Sequence, residues 1–384
     1  MIIDISGAVV FITEMKPLDQ NANSTHIMTQ NIINGIKKNK RKLILFIIDQ
    51  HRNKQTLEQY FSDKVDGVCV LPSRFGNGLN KYQLLFRILK EACCMGYYYH
   101  RIDELAIIGI PQIIISNNPT YETALWGIAL KKRFKESPFY QYWSDPITLS
   151  GITQEHYSLK RLPFRMAEHY AIKRADRVIY GTRTLMDFQC QLFPDLAHKI
   201  TYIDIAYQET KYSNSIPDYR RRIIYAGNYD PTIRNIGPLV KAVEKMKDID
   251  LDIYGTGKCV ISNPKKIHEH GRTTPERITE IESHYPISVC ILNSGCIQIP
   301  GKIFYSMNRK SEILVISDGP YSEKITAYLE TYHRFWICHN TPESIHNTLN
   351  KILSNSCDRE YDVDSFSPQR IAANLISGGL FLSE

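Results

Sequence analysis

Short apolar runs alternate with amphipathic stretches almost from one end of the chain to the other. The runs have the composition of buried strands, and the stretches between them place apolar residues three or four positions apart, as helices do. Strands are predicted at 8–13, 43–49, 67–71, 112–116, 138–143 and 177–180 in the first half, and at 222–226, 250–254, 267–270, 287–292, 312–317 and 335–338 in the second. Helices are predicted between them, for example at 25–38 and 81–98. The pattern predicts an α/β protein with two parallel sheets, each covered by helices on both faces.

The length of 384 residues indicates two domains of roughly 150 to 200 residues each, since a single core seldom grows much beyond that size. The stretch 208–218 (QETKYSNSIPD) is polar, contains proline and lacks periodicity, as interdomain linkers do. We therefore predict a first domain at 1–207 and a second at 219–366. The last segment, 367–384, begins with Ser-Pro and carries an apolar face, which predicts a terminal helix. Packing back on the first domain is one option for it.

The net charge of +7 is concentrated in three basic runs at 37–42, 131–135 and 220–222. A solvated face, an anionic substrate or an anionic membrane surface explains such runs equally well. No zinc-knuckle, recognition-helix or RNA-binding signature accompanies them, so we expect no nucleic-acid partner. The aromatic and basic stretch at 82–99 suits either a buried core helix or a peripheral membrane contact.

The nine cysteines form no CxxC pair and no regular spacing, which indicates reduced thiols in the cytoplasm. The first residues, MIIDISGAVVFIT, have no basic leader and are typical of a first strand instead of a signal peptide. No apolar stretch approaches the roughly twenty residues that a membrane span needs. We therefore expect a cytoplasmic protein, with a peripheral contact to the inner face of the membrane as an open alternative.

Three loops of similar character follow strands of the second half, where open α/β sheets bind their ligands. A glycine directly after a strand leaves room for a ligand, and an arginine nearby suits bidentate contact with a phosphate. An ordinary loop with a solvated arginine is the alternative for each. The candidate residues in these loops are Gly227, Arg234, Asn235, Gly255, Thr256, Gly257, Gly271 and Arg272.

The stretch 298–318 (QIPGKIFYSMNRKSEILVISD) is predicted to form a loop, a short helix and a buried strand. Pro300 and Gly301 interrupt the chain where a helix can begin, so the following backbone N–H groups are expected to be unpaired and to form an anion site. Lys302 lies in that first turn, where a cation is unfavourable unless an anion lies nearby. The alternative is an ordinary surface helix with a solvated lysine.

The first half offers Asp145 as its candidate, at the end of a predicted strand and directly before Pro146. Proline holds the preceding residue extended, so the carboxylate projects from the strand end and can orient or deprotonate a hydroxyl. An Asx turn or a helix cap is an equally good interpretation. His26 either lines a cleft or faces solvent, and Glu168 and His169 are expected to form a structural ion pair or hydrogen bond.

Several reaction classes lack their motifs. The chain has no GxSxG elbow and no cysteine in a recognisable catalytic setting, which argues against covalent hydrolases. It also has no GxxxxGK[ST] loop and no HExxH. We therefore predict no metal site.

Five segments together are similar to those of a known family: AEHYAIKRADRVIYGT, RIIYAGNYDPTIRN, LDIYGTGK, HGRTTPERI and QIPGKIFYSMNRKSEILVISD. In these the chain resembles the GT-B glycosyltransferases, and within them the retaining glycosyltransferase family 4. The resemblance implies two Rossmann-like domains that face each other across a cleft. It also implies a nucleotide-diphosphate sugar as donor, bound by the second domain, and a glycan or lipid-linked acceptor, bound by the first, in surface polysaccharide biosynthesis.

Carried onto this chain, the resemblance makes Gly227, Arg234 and Lys302 the diphosphate contacts. It places 255–257 and 271–272 near the nucleotide. Arg234 and Lys302 would stabilise the charge that develops on the leaving diphosphate without a metal, and Asp145 would serve the acceptor side. No permanently bound cofactor is expected.

The chain departs from the family pattern at several positions. Tyr305 stands where the family has a glutamate that contacts the donor, and Ile297 and Gln298 stand where its second acid lies. Ser144 replaces a common cleft histidine, and the loop at 14–24 lacks the usual glycines. Two other functions therefore stay open: a catalytically silent GT-B protein that binds a glycan or a partner, and a nucleotide-sugar epimerase of similar architecture.

Overall fold

The computed structural model describes residues 2–15, 24–49, 54–74, 87, 90–91, 93–117, 120–146, 148, 162–211, 221–354 and 361–379. The strands are β1 Ile3–Asp4, β2 Val9–Thr13, β3 Leu43–Asp49, β4 Gly67–Pro72, β5 Ile107–Ile108, β6 Ile113–Asn117, β7 Phe139–Trp143, β8 Arg177–Tyr180, β9 Ile200–Tyr202, β10 Arg222–Ala226, β11 Asp250–Tyr254, β12 Ile267–Glu269, β13 Ile287–Ile291, β14 Glu312–Ser317 and β15 Phe335–His339. The α-helices are α1 Ser24–Lys38, α2 Lys54–Phe61, α3 Met95–Asp103, α4 Tyr121–Arg133, α5 Leu162–Arg174, α6 Arg183–Leu192, α7 Gly237–Lys245, α8 Pro275–Glu282, α9 Lys302–Tyr305, α10 Ser322–Glu330, α11 Pro342–Ser354 and α12 Pro368–Ile376.

The first half contains a seven-stranded sheet in the order β4-β3-β2-β6-β7-β8-β9, in which every pair is parallel. A separate parallel pair joins β1 and β5. The inner strand β2 (VVFIT) is buried along its whole length, as expected for a strand with helices on both faces of its sheet. The predicted first sheet is confirmed.

The second half contains a six-stranded parallel sheet in the order β12-β11-β10-β13-β14-β15. The strand order reverses beside β10, so the loops after β10 and β13 open a crevice at the carboxyl edge of this sheet. A ligand site is expected at such a point.

All twelve predicted strands are present, with ends shifted by no more than a residue. The prediction missed β1, β5 and β9, which are two or three residues long and pair at the edge of a sheet or outside it. Such short strands carry too few residues to show a periodicity. The predicted helix at 81–98 lies partly outside the described residues, and its last part belongs to α3.

One apolar cluster joins the two halves: Met28 and Ile205 of the first half belong to the same buried group as Ile299 and Ile303 of the second. Glycine lets helix α12 approach helix α1 closely, because a Cβ on Gly35 would lie 1.9 Å from a carbonyl oxygen of the other helix. The side chain of Ser367 caps α12 by accepting from the Arg370 amide, as its Ser-Pro start predicts. The predicted linker lies largely outside the described residues.

About half of the cations in the described part of the basic runs form ion pairs with nearby carboxylates. In the first run the ion pairs are Lys37 with Asp66, Lys38 with Glu209 and Lys42 with Asp4. In the other two runs they include Lys131 with Asp176, Arg221 with Asp248 and Arg222 with Asp252. Within the described ranges, no helix is both long and apolar enough to cross a membrane.

Candidate functional site

A cleft of about 480 Å³ opens between the two sheets. The second half supplies most of its wall, from the loops after β10, β11, β12 and β13 and from helices α8 and α9. The first half supplies the start of α1, the residues after β7 and two residues of the crossover, Ile205 and Gln208. The carboxyl ends of both sheets therefore face one space.

Lys302 lines this cleft at the start of α9 and is partly buried. Its ammonium donates to the Ala226 carbonyl oxygen at 2.7 Å and to the Val289 carbonyl oxygen at 3.4 Å. It also lies 4.7 Å from the ring centroid of Tyr225. An ammonium has three N–H donors, so these contacts hold the cation at the ends of β10 and β13 while one donor stays available to a ligand.

The predicted helix N-terminus at 300–305 differs from expectation. Helix α9 is only four residues long, and the amides of Ile303, Phe304 and Tyr305 already donate to the carbonyls of Pro300 and Gly301. The reason is that Gly301 itself has helical dihedral angles, φ −56° and ψ −26°, so the turn closes one residue early. The prediction of unpaired amides at these three positions is wrong, and the lysine side chain is what the segment brings to the cleft.

Arg234 is held at the cleft by Asn293, whose side-chain oxygen accepts from the guanidinium Nε at 2.6 Å. The loop that carries it is closed by the Arg234 amide, which donates to the Asp230 carbonyl at 2.8 Å. Arg272 also lines the cleft, where its side chain is exposed. Two further cations thus line the same cleft as Lys302, and the Asn293 bond holds Arg234 in position before any ligand binds.

The glycines of the second-half loops serve close backbone approach. A Cβ on Gly255 would lie 2.0 Å from the carbonyl oxygen of Gly227, and one on Gly257 would lie 2.1 Å from the carbonyl oxygen of Tyr229. At Gly227, in contrast, a Cβ would meet nothing nearer than the Tyr225 hydroxyl at 3.4 Å. The two loops therefore pack backbone to backbone, and Gly227 lies beside the Lys302 ammonium.

Asp145 reaches across the cleft from the end of β7. Its Oδ1 accepts from Gln298 Nε2 of the second half at 2.7 Å, and its Oδ2 accepts from the Ser144 hydroxyl at 3.3 Å. Desolvation between the two walls raises the pKa of the Asp145 carboxyl, and the Ser144 bond opposes that rise. The carboxyl is still reachable from the open cleft.

Tyr305 makes a second bond across the cleft. Its hydroxyl donates to the carbonyl oxygen of Ser24 at 2.5 Å and lies 2.8 Å from the Ser24 hydroxyl, at the first turn of α1. The side chain is buried, and burial raises the pKa of its hydroxyl. The tyrosine thus lines the cleft and connects the two halves.

Solved structures with this arrangement of two sheets are similar over nearly the whole chain, although no family model and no curated protein sequence matches it. HepE of Anabaena, in complex with UDP and glucose, has a TM-score of 0.56 at 11% identity, covering 97% of both chains. UDP-GlcNAc 2-epimerase of Neisseria meningitidis, bound to UDP-GlcNAc, has a TM-score of 0.54 at 12% identity over 96% of this chain and 98% of its own. TarM has a TM-score of 0.54 at 11% identity over 98% and 96%.

The chain has the GT-B fold. At these identities the similarity concerns the fold alone, and it includes both glycosyltransferases and an epimerase.

Some of the candidate residues line the GT-B cleft, and others do not. Those that line it are Gly227, Arg234, Gly255, Arg272, Lys302, Tyr305 and Asp145. Those that are not among its lining residues are Asn235, Thr256, Gly257 and Gly271. His26 is likewise not among them.

The residues outside the wall have local roles. Asn235 accepts from the Gly237 amide at the start of α7. Thr256 donates to the side-chain oxygen of Asn228 and so joins two loops. Gly271 has φ +72°, a left-handed angle that favours glycine in the turn before α8. The sequence pattern placed these residues near the ligand because it locates loops without saying which side of a loop faces the cleft.

Sequence reasoning missed Glu282 and Arg309 as cleft residues. They form an ion pair of 2.7 Å between α8 and the turn after α9. Neither lies next to a strand end or a glycine-rich loop, so no local signal marks them. Asn293 was also missed, although it follows β13 by two residues and its position after a strand end could have marked it.

The pair Glu168 and His169 has the structural role expected for it. His169 lies 2.8 Å from an Asp195 carboxylate oxygen. Glu168 is buried and accepts from the amide and the hydroxyl of Thr148, three positions after Asp145. Among the residues that the structure describes, no group of three or more His, Cys, Asp or Glu side chains is placed to hold a metal ion.

Proposed function

We propose that this protein is a retaining glycosyltransferase similar to family 4. It would transfer a sugar from a nucleotide-diphosphate sugar to a glycan or lipid-linked acceptor, in the assembly of a surface polysaccharide. The donor would bind to the second half of the GT-B cleft and the acceptor to the first. A peripheral contact with an anionic membrane and independence from metal ions belong to the same proposal.

One observation carries it: the cations Arg234, Arg272 and Lys302 converge at the carboxyl edge of the second sheet, opposite the carboxyl of Asp145. Breaking a sugar–phosphate bond places negative charge on the leaving diphosphate. Fixed cations in a partly desolvated cleft stabilise that charge without having to reorganise. HepE, whose fold is similar, is solved with UDP and glucose, which supports a donor of this class.

Each proposed group has a role that its contacts allow. Lys302 and Arg234 would bind the diphosphate, since both are already oriented by protein oxygens. Asp145 would orient the acceptor hydroxyl after exchanging Gln298 for it. Gly227 would let the phosphates approach the backbone beside Lys302.

The test is a panel of nucleotide sugars offered to the purified protein with and without membrane extract as a source of acceptor. We expect release of the nucleoside diphosphate with one donor, and a product with the same anomeric configuration by NMR. Lys302→Met should weaken donor binding about tenfold to a hundredfold, because it removes a charge-assisted hydrogen bond from a partly buried site. Lys310→Met is the matched control, since Lys310 lies eight positions further along the chain, is exposed and does not line the cleft.

Binding of no nucleotide sugar would refute the proposal. Binding without turnover, lost in Lys302→Met, would instead identify a catalytically silent GT-B protein that serves as a binding subunit.

A nucleotide-sugar epimerase is the second candidate, because a UDP-GlcNAc 2-epimerase is among the structures of similar fold. Epimerisation at a carbon breaks a C–H bond and needs proton-transfer groups, for which the cleft offers the carboxylates Asp145 and Glu282. Incubation of the donor in D₂O without acceptor separates the two functions. An epimerase incorporates deuterium into the sugar ring, whereas a transferase does not.

A further inference from the structure

Residues 2–7 and 106–110 form a two-stranded parallel ribbon around β1 and β5, at the end of the first sheet where its strands begin. The ribbon directly precedes the inner strands β2 and β6. One of its faces is part of the core, since Ile5 and Ile107 belong to a large buried apolar cluster. The other face carries Ile2, Ile108 and Ile110, whose exposed fractions are 68%, 54% and 64%. The ribbon is therefore largely apolar on both faces.

The pairing of the two strands brings these three isoleucines together. Asp4 pairs with Ile108, and paired residues point to the same side of a sheet. Ile2 lies two positions before Asp4 and shares that side. The ladder continues to Ile110, whose carbonyl oxygen accepts from the Gly7 amide at 2.9 Å. The outward face of a surface sheet normally carries polar side chains, so this contiguous apolar group, the isoleucine patch, is typical of an interaction surface.

The first basic run lies beside the isoleucine patch. The Lys42 ammonium donates to the Asp4 carboxylate at 2.8 Å and so neutralises the negative charge on the exposed face of the ribbon. Lys40 and Arg41, directly before Lys42, are exposed and form no ion pair with any residue that the structure describes. Their charges are therefore available to an anionic partner.

The second basic run reaches the patch from the other side. The Ser137 hydroxyl donates to the carbonyl oxygen of Pro111 at 2.7 Å, directly after Ile110. Lys135, two positions before Ser137, is exposed and has no ion pair within the described ranges. The exposed Glu136 next to it carries the opposite charge, so most of the positive surplus comes from the first run.

The size of the patch distinguishes between possible occupants. The exposed parts of three isoleucines amount to roughly 200 to 300 Å², well below the roughly 800 Å² per partner of a stable dimer. A small apolar patch framed by cations is sufficient for a lipid surface, because weak apolar insertion and attraction to anionic headgroups act together. The charge and the area therefore favour an anionic bilayer over a second copy of the chain.

We propose that the isoleucine patch inserts into the headgroup region of an anionic lipid bilayer, with Lys40, Arg41 and Lys135 on the lipid phosphates. This inference rests on the proposed function for its membrane contact and gives that contact a place. Strand β2 runs five residues from the patch side toward the cleft, about 17 Å. The cleft then opens on the side away from the bilayer. That orientation favours an acceptor that extends from the membrane, such as the outer end of a lipid-linked glycan.

The experiment measures co-sedimentation of the purified chain with vesicles of phosphatidylcholine alone and with vesicles of phosphatidylcholine and phosphatidylglycerol in equal parts. We expect the wild type to bind the anionic vesicles at least tenfold more tightly than the neutral ones, since each cation near an anionic surface contributes about fivefold. High salt should reduce this difference, because it screens exposed charges.

Two double variants separate the apolar and the charged contributions. Ile108→Thr with Ile110→Thr keeps the branched shape and should weaken binding to the anionic vesicles about tenfold to a hundredfold. Lys40→Gln with Arg41→Gln should weaken it about tenfold or more and reduce its salt dependence. Val260→Thr is the matched control, since Val260 is 85% exposed in the second half and does not line the cleft. It should bind as the wild type does.

Each outcome decides one question. No binding of the wild type to anionic vesicles, or equal binding by the double isoleucine variant, would overturn the inference. A dimer in sedimentation velocity that the isoleucine variant lacks would also overturn it, because the patch would then join two copies of the chain. Vesicle binding through the patch without binding of any nucleotide sugar would refute the proposed function, and with it the consequence for the acceptor, but not the role of the patch. Donor turnover without vesicle binding would refute the patch alone.

Discussion

Replacing Glu168 by glutamine should change how the stability of the first half depends on pH. Glu168 lies in α5 with no solvent exposure, and its carboxylate accepts from the amide of Thr148 at 3.1 Å and from its hydroxyl. Burial raises the pKa of this carboxyl from the ordinary 4.5 to about 7, and the Thr148 and Tyr180 bonds only partly oppose that rise. Thr148 follows Asp145 by three positions, so the same contact anchors the chain close to the candidate catalytic acid.

The pKa is higher in the folded chain than in the unfolded one, so the folded state binds the proton more tightly. The favourable contribution is therefore complete below the unfolded pKa and is lost as the pH rises through about 7. At 1.36 kcal/mol per pH unit, the difference between 4.5 and about 7 amounts to about 3 kcal/mol, most of which is lost between pH 5 and pH 8. Glutamine has nearly the same shape and does not ionise, so the variant should not show this loss.

The assay is urea denaturation of wild type and Glu168→Gln at several pH values from 5 to 8, followed by tryptophan fluorescence. Trp126 and Trp143 are both buried in the first half, and a Trp336→Phe background removes the signal from the second. The free energy of unfolding of the variant minus that of the wild type should increase by about 2 to 3 kcal/mol over this range. Glu136→Gln, at an exposed position of the same half, is the control and should give a flat difference. A flat difference for Glu168→Gln would refute the argument from burial.

Two further substitutions test the geometry of the cleft. Gly255→Ala should destabilise the second half by about 1 to 3 kcal/mol in thermal melts, because its Cβ would meet the Gly227 carbonyl oxygen at 2.0 Å. The control Gly96→Ala, whose Cβ would meet nothing within 4 Å, should leave stability unchanged or slightly higher. Equal effects of the two substitutions would contradict the close approach at Gly255. Tyr305→Phe should lower the free energy of unfolding by about 1 kcal/mol in urea denaturation, since it removes the hydroxyl that bonds to Ser24 across the cleft. An unchanged free energy of unfolding would show that this hydrogen bond adds no stability.

Much of the fold could be predicted from the sequence because its signals are local. A run such as LILFIID in β3 is apolar on both faces and is therefore a buried strand wherever it pairs. Thr274 and Pro275 mark the start of α8 because a capping hydroxyl and a proline act within one helical turn, and the Thr274 side chain does accept from the Arg277 amide. The short strands β1, β5 and β9 were not predicted, because two or three residues show no periodicity and are recognised as strands only by their pairing with another strand.

The candidate site was predictable only in part. Loops after parallel strands share one edge of a sheet, so Gly227, Arg234 and Arg272 could be expected near one another before any distance was known. The side of each loop that faces the cleft depends on packing, which is why Asn235 and Gly257 lie outside the wall. Likewise, the sequence did not show that the short helix at Lys302 begins its hydrogen-bonded turn at Gly301, because this follows from the helical backbone angles of Gly301.

The two parallel sheets, most of their strand positions and the glycine and arginine loops at their carboxyl edges could be predicted from the sequence, because they follow from interactions within a few residues. The contacts between side chains that form the cleft depend instead on how the two sheets and their helices pack. Asp145 and Gln298 are 153 positions apart, Ser24 and Tyr305 are 281 apart, and Glu282 and Arg309 lie on separate elements 27 apart. Such pairs form only once both sheets have packed, since no local preference of either partner specifies the other.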